Sequence, residues 1–436
     1  MRIARLLCTV VTIASATVAC SQSGSPSGSP APGPASSLST QVATTAATAP
    51  STAPSSMHDD EDDLVIPTEK FSEPQKAFDT AKNVLLHDYY ASGLTEEDLY
   101  RAAVHGMLAD VDPRMHRWNK LLSPRAYADL ANDLKGELVG IGVRMKFDPA
   151  TGHSDVLSTI PGSPAEKAGL RATDTIVSVN GKLWKGKSER EVVDEIRGTA
   201  GEVVTLSVLR DDKILPFSIA RAKVTFDAVS HEVVDGVGYL SVHMFSEKTT
   251  RSIKTALDDF AAAHVRAVAL DLRGNMGGSF DEAVHSAELF LPSGTPIVTL
   301  ERRDGKMETT ASKGAPLAAL ASVPMVVLIN HDTSSGAELV AGALSEQRHA
   351  KTVGTRTFGK WSVQSIDELG NGYAIKYTTA LFHAPSGKSY DGVGIAPDIE
   401  VDADGAQIER AAQLTDPKAR VAADIQLRTA LSLLAP

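Results

Sequence analysis

Residues 265–278 read Val265-Arg266-Ala267-Val268-Ala269-Leu270-Asp271-Leu272-Arg273-Gly274-Asn275-Met276-Gly277-Gly278. The first eight form a nearly continuous apolar run, the pattern of a strand covered on both faces. The glycines that follow let backbone N–H groups approach a ligand closely, and they equally suit a plain turn of positive φ. A dinucleotide loop would need Gly-x-Gly-x-x-Gly opening a helix, and this spacing differs. Outward from this stretch, strand and helix patterns alternate over residues 223–402. Val237–Val242 is a strand, Lys248–Ala263 an amphipathic helix and Phe280–Leu291 another. Pro324–Asn330 is a second buried strand, with a helix over Ala337–Leu344 directly after it. This is an α/β pattern, in which functional groups are expected where loops leave the carboxyl ends of strands.

Two further loops of that core carry reactive side chains. Asp332-Thr333-Ser334-Ser335-Gly336-Ala337-Glu338 joins the second buried strand to its helix. A serine there is an ordinary N-cap, and it is also where a nucleophile gains from helix N–H groups. Thr357-Phe358-Gly359-Lys360-Trp361-Ser362-Val363-Gln364 sets a lysine among apolar neighbours. A lysine acting as general base must be neutral, so burial has to pull its pKa down; a lysine that keeps its tip in water would do nothing of the kind. His331 and His383 leave a Ser–His pair open.

The regions before the core differ in character. Residues 67–134 look helical: Phe78, Val84, Leu85 and Tyr89 share a face, Thr95 and Asp98 mark an N-cap, and Pro124 opens a short helix to about Leu134. Asp112-Pro113 closes the second helix. Residues 135–222 hold short β-branched runs divided by Pro161-Gly162 and Asn180-Gly181 turns, with helices at Ala165–Gly169 and Glu189–Arg197. Residues 403–436 end in a helix over Ala422–Leu434.

Composition narrows the function. The 436 residues are 42% hydrophobic and 22% charged, room for two or three globular domains. With 43 basic against 54 acidic residues the net charge is −11, which disfavours nucleic acid as a partner. Both cysteines, Cys8 and Cys20, lie in the first twenty residues, so the body has no disulfide framework, thiol nucleophile or Cys-based zinc site. The twelve histidines form no His-Glu-x-x-His. No metal or other cofactor is expected. At the start, Arg2 and Arg5 precede an apolar stretch from Leu6 to Ile13, then Thr17-Val18-Ala19-Cys20. This is similar to a bacterial lipoprotein signal with lipid on Cys20, although a lipobox more often has Leu, Val or Ile where Thr17 stands. Residues 21–66 read as a disordered linker: of the 36 at positions 21–56, 32 are Ser, Pro, Gly, Ala or Thr, and an acidic run follows at Asp59–Asp63.

Taken together the motifs carry two resemblances. Residues 135–222 resemble a PDZ domain through Gly140-Ile141-Gly142-Val143, Pro161-Gly162-Ser163-Pro164-Ala165 and Asp174–Gly181 in that order. That likeness implies that the Val139-Gly140-Ile141-Gly142 turn offers N–H groups to a peptide's C-terminal carboxylate. Most of residues 70–435 resemble the carboxyl-terminal processing, or tail-specific, proteases. The likeness rests on Asp271–Gly278, on Ser335 three residues before Glu338, on Thr357–Lys360 with Gln364 beyond it, on the 25-residue interval from Ser335 to Lys360, and on Gly392–Asp398. Departures are Asp332, where glycine is frequent, Gly336 and Ala337 after the serine, with Ala337 where serine is common, Trp361, where glycine is also frequent, and Asp112-Pro113-Arg114-Met115-His116-Arg117-Trp118 in place of Asp-Pro-His-Ser-x-Tyr.

The resemblance implies a multidomain α+β chain: a helical N-terminal region, a PDZ-like β domain, an α/β core of the crotonase/Clp type over 223–402 and a C-terminal helix. It implies a serine endopeptidase with Ser335 as nucleophile, Lys360 as base, Gln364 holding the lysine, and Gly336 with Gly277 or Gly278 as oxyanion hole. Arg197 would relay between bound peptide and catalytic core. Substrates are proteins or peptides taken by their C-termini. The enzyme is expected to be exported and lipid-anchored at a bacterial envelope membrane, facing the periplasm or the cell surface, as a homo-oligomer or with an adaptor. The competing readings are an inactive PDZ-bearing binding lipoprotein and a Ser–His or small-substrate hydrolase.

Overall fold

The computed structural model describes residues 70–435 apart from Pro113, Phe226 and Gln413. The signal-like segment with Cys20 and the linker lie outside the described residues. Two units are described separately. In the first, helix Pro74–Asp88 buries no residue, and Lys82 bonds Glu96 and Tyr100. The reciprocal Thr95–Asp98 cap expected from sequence is formed.

In the second unit, six strands make a sheet in the order 399–400, 351–354, 325–329, 267–271, 237–242, 229–234. All pairs are parallel except the antiparallel edge pair of 229–234 with 237–242. Both faces are covered. Leu240, Val268, Leu270, Val327 and Ile329 meet the helices Thr249–Ala262, Phe280–Glu288 and Gly336–Arg348. Val237, Ala267, Ala269, Val326 and Leu328 face the other way, against Leu427 and Ala430 of the helix Ile425–Leu433 and Leu434 just past its end. The continuous apolar run around residue 268 is thus the signature of a two-sided strand.

A five-stranded sheet lies beside it, built on the long strand Tyr373–His383, which pairs Ser362–Gly370 on one edge. Its other edge takes Pro296–Glu301 and a short strand, Lys120–Leu122. The region read as helical up to residue 134 therefore contains a strand. Its three residues are too few to show a period of two, and its partner lies some 250 positions away. The helix expected over Ala422–Leu434 is likewise broken: it divides between the end of Pro417–Ala423 and Ile425–Leu433, and a further helix, Gly405–Ala412, precedes them. The last break falls at Asp424, whose carboxylate caps the Leu427 N–H at 2.9 Å.

The PDZ-like region is a separate antiparallel sheet in chain order, 143–148, 153–159, 175–179, 203–210 and 213–220. Helices Pro164–Lys167 and Glu189–Ile196 accompany it, and Val192 and Ile196 share an apolar cluster with Ile141, Val156 and Val208. The strand-like run 137–145 is split by the Ile141-Gly142 turn. Glu137–Gly140 pairs Ala222–Thr225, whereas Val143–Asp148 pairs His153–Thr159 on one side, and among the described residues no strand pairs its other edge.

Candidate active site

Ser335 sits at the elbow between strand Met325–Ile329 and helix Gly336–Arg348 with φ 56° and ψ −115°, a conformation that L-residues rarely hold unless their surroundings impose it. The surroundings do so here. Ser334 bonds Asn275 O through its N–H (3.0 Å) and Met276 O through its hydroxyl (2.9 Å), while Thr333 Oγ1 reaches Leu272 O at 2.9 Å. The serine loop is thereby stitched to the glycine loop that leaves strand Ala267–Asp271. Gly277 has φ 102°, a conformation that L side chains rarely adopt, and a Cβ there would crowd Gly336 N and Ser335 Cβ at 3.1 Å. Gly278 has φ 138°, and its Cβ would collide with Phe245 O. Ser335 is fully buried, and its Oγ has no hydrogen-bond partner among the described residues.

The lysine loop is held to the serine loop by Glu338. Its fully buried carboxylate accepts from the N–H of Ser335 (2.9 Å), Gly359 (2.8 Å) and Lys360 (2.9 Å) and from the Thr357 hydroxyl (2.5 Å). Burial raises its pKa, and these four donors oppose the rise. With its lone pairs so used, Glu338 is a hub that fixes the backbones of Ser335 and Lys360 together. The Ser-x-x-Glu spacing announces the pair; the reach to Thr357 and Gly359, about twenty residues on, has no local signal.

Lys360 is 0% exposed. Its Nζ donates to Gln364 Oε1 at 2.7 Å and lies 5.0 Å from the centre of the Trp118 ring, which packs edge-on to Phe358. Burial, and after it the charge of Lys376, push its pKa well below the ordinary lysine range; Glu338 and Asp391 pull weakly the other way. Trp118 is the aromatic that stands in the departing Asp112–Trp118 segment, and it forms the apolar wall over the lysine. Trp361, another departure, packs on Phe382 and Tyr390 and is buried.

Ser335, Lys360, Gln364 and the three glycines thus converge. In this conformation Lys360 is bonded to Gln364 rather than to Ser335, and Gly277 N–H is turned to Asn275 Oδ1 at 2.8 Å. The two histidines do not join them. His383 bonds Glu301 at 3.0 Å, His331 packs against Phe358, and neither is bonded to Ser335 Oγ. Among the described residues no group of three His, Cys, Asp or Glu could hold a metal ion.

The PDZ turn lies apart from this cluster. Ile141 is buried; its O accepts from Ala165 N (2.8 Å) and Gly142 O from Ile160 N (2.9 Å), which fixes the turn at the end of the open strand edge beside Val139 and Gly140. Arg197, at the end of helix Glu189–Ile196, runs past Gly140 and pairs Asp133 at 3.3 Å. Asp133 belongs to the helix Pro124–Leu134, which also sends Arg125 to the carbonyls of Asp194 and Arg197 and Tyr127 to Glu368 of the core. Arg197 therefore touches neither Ser335 nor Lys360; it meets the helix that spans from PDZ domain to core.

Comparison with known proteins gives the family. Residues 236–401 match peptidase family S41 and residues 156–210 match the PDZ domain family. The carboxy-terminal-processing protease of Bartonella bacilliformis is 36% identical over 313 residues, 70% of each chain. The chain belongs to peptidase family S41. It is a serine peptidase, similar to the carboxy-terminal-processing proteases, and carries a PDZ domain. Probable CtpA-like serine proteases of Staphylococcus aureus are 33% identical over 321 residues, 73% of this chain and 63% of theirs. Among solved structures, the photosystem II D1 C-terminal processing protease superposes with a TM-score of 0.54 at 26% identity, over 81% of this chain and 93% of that one.

Proposed function

We propose that this S41 peptidase is an exported, lipid-anchored endopeptidase that takes protein substrates by their C-terminal tails and cleaves them with Ser335, Lys360 and Gln364. The observation that carries the mechanism is a lysine amine fully enclosed by protein, bonded to a neutral amide and facing an aromatic ring. Such an amine rests neutral and can accept a proton. As Ser335 Oγ bonds to the scissile carbonyl carbon, its proton passes to Lys360 Nζ. The carbonyl oxygen becomes an oxyanion facing the N–H groups of Gly336 and Gly278, with Gly277 joining once it leaves Asn275. The lysine then protonates the leaving amine as the C–N bond breaks. Water repeats the sequence on the acyl-enzyme and returns the proton to Ser335. Gln364 Oε1 holds the amine in line throughout.

The open edge of Val143–Asp148 and the Val139–Gly142 turn suit an added peptide strand ending in a free carboxylate. The buried Ser335 suits a closed state that tail binding would open, by a coupling of order 1–3 kcal/mol. The test is cleavage of one unfolded substrate with free and with amidated C-terminus, wild type beside Ser335→Ala. A free tail should be cut faster and the alanine variant should be dead. Equal rates for both tails would overturn tail recognition, and an active Ser335→Ala would overturn the nucleophile. The anchor is tested by labelled palmitate, which wild type but not Cys20→Ser should incorporate.

A further inference from the structure

We propose that Asn119, outside the peptidase core, is a positioning residue that fixes which end of the Gln364 amide faces Lys360. The inference rests on the Ser335–Lys360–Gln364 reading. A glutamine amide has two orientations that differ by a half-turn, with opposite hydrogen-bonding character. For Gln364 to accept from the lysine, its NH2 must be held elsewhere. Two hydroxyls do this: Gln364 Nε2 donates to Ser362 Oγ at 2.9 Å and to Thr378 Oγ1 at 3.4 Å. A hydroxyl accepts reliably once its own proton is committed to another group. The Thr378 proton goes to Asn119 Oδ1 at 3.2 Å, and the same oxygen takes the Thr378 backbone N–H at 2.9 Å. Asn119 is itself oriented by Nδ2, which donates to Leu108 O at 3.4 Å. The result is one chain of donation, from Lys360 to Gln364 to Thr378 to Asn119.

The backbone shows why the chain closes there. Strand Lys120–Leu122 pairs Tyr373–His383 with Lys120 opposite Lys376, which brings Asn119 beside Thr378. On the far edge of the same strand Gln364 is opposite Thr378, at a bulge between Val363 and Gln364. Asn119 is buried, and its neighbour Trp118 covers the lysine amine, so one short segment sets both the walls and the hydrogen bonding of the base.

The experiment is steady-state cleavage of an unfolded protein with a free C-terminus by the full chain. It compares wild type, Asn119→Ala, Thr378→Val, Thr378→Ser, Gln364→Ala and the double Asn119→Ala/Gln364→Ala, with thermal unfolding alongside. Asn119→Ala and Thr378→Val should lower kcat about 5- to 30-fold, a fraction of what general base catalysis contributes, with KM within about twofold. Thr378→Ser, which keeps the hydroxyl, should match wild type. In the Gln364→Ala background Asn119→Ala should cost nothing more. A kcat within twofold of wild type for Asn119→Ala, or the same fold loss with and without Gln364, overturns the proposal. If Asn119→Ala does not fold, the Thr378→Val and Thr378→Ser pair decides it by the same criteria. Activity surviving in Ser335→Ala or Lys360→Ala would instead overturn the catalytic reading itself, whatever Asn119 does.

Discussion

Arg273 and Lys360 are both shut inside the peptidase core, yet the core gives one of them counter-charges and withholds them from the other. Arg273 reaches Asp271 through Nε (2.9 Å) and Nη2 (2.6 Å), Asp424 through both Nη atoms (3.1 and 2.8 Å) and Gln426 at 3.0 Å. Burial works against its charge, but the carboxylates outweigh burial and hold its pKa well above the ordinary value. Lys360 has an amide, an aromatic face and a second lysine nearby, and the carboxylate within reach of its backbone, Glu338, is already filled by four donors. The two sites are joined by the glycine loop: Arg273 clamps its start to the C-terminal helix, and its end lies against Ser335. The difference teaches that burial alone does not decide a cation's state. Where carboxylates are supplied the charge is favoured and locks structure; where only a neutral acceptor is supplied the pKa falls, which is what the base proposed here requires.

The comparison can be broken most severely at Lys360. Lys360→Met should lower kcat/KM by on the order of 10³-fold or more while the protein still folds. It should also change how stability responds to pH. The native state holds Lys360 with fewer protons than the unfolded chain does, so wild-type stability rises with pH between the depressed folded value and the ordinary lysine value. Urea unfolding across that window should show the rise in wild type and its absence in Lys360→Met; a parallel pair of curves would mean that Lys360 carries its charge in the fold.

Arg273→Met probes the opposite site. It strands Asp271 and Asp424, 4% and 3% exposed, without their cation, and should destabilise by about 3–5 kcal/mol in denaturant unfolding. A loss below ~1 kcal/mol would place the clamp outside the stability of the fold. Gln364→Ala comes next: it leaves the lysine buried but unaimed and should cut kcat about 10- to 100-fold with little change in unfolding. Wild-type turnover in that variant would remove the amide from the comparison. The smallest effect is expected at Arg197→Ala. Its pair with Asp133 is part-exposed, so stability should change by less than ~1 kcal/mol, while the preference for a free over an amidated tail should shrink. An unchanged preference would cut the PDZ helix off from the core.

What could be read from the chain follows physical range. The two-sided strand at Ala267–Asp271, the elbow at Ser335 and the apolar flanks of Lys360 are written in consecutive residues, so periodicity and composition reveal them. Local cap chemistry at Thr95 is equally legible, since donor and acceptor lie three residues apart. The strand Lys120–Leu122, the Arg273–Asp424 clamp and the Asn119–Thr378 bond are not. Each depends on a partner 150 or more positions away, and a lone Asn or Asp looks the same whether it holds a distant partner or faces water. Glu338 falls between: its place in the motif is visible, its role as the joint between two loops is not.

The state of the Lys360 amine is the point on which this account turns. The direct measurement is a pH titration of the protein in the Ser335→Ala background with lysines labelled at 15Nζ, the Lys360 signal assigned by its loss in Lys360→Met. The expected result is an amine that is already neutral well below the ordinary lysine range and takes up a proton as the pH is lowered further. An ammonium persisting up to the ordinary value of ~10.4 would contradict it, and Ser335 would then need another base.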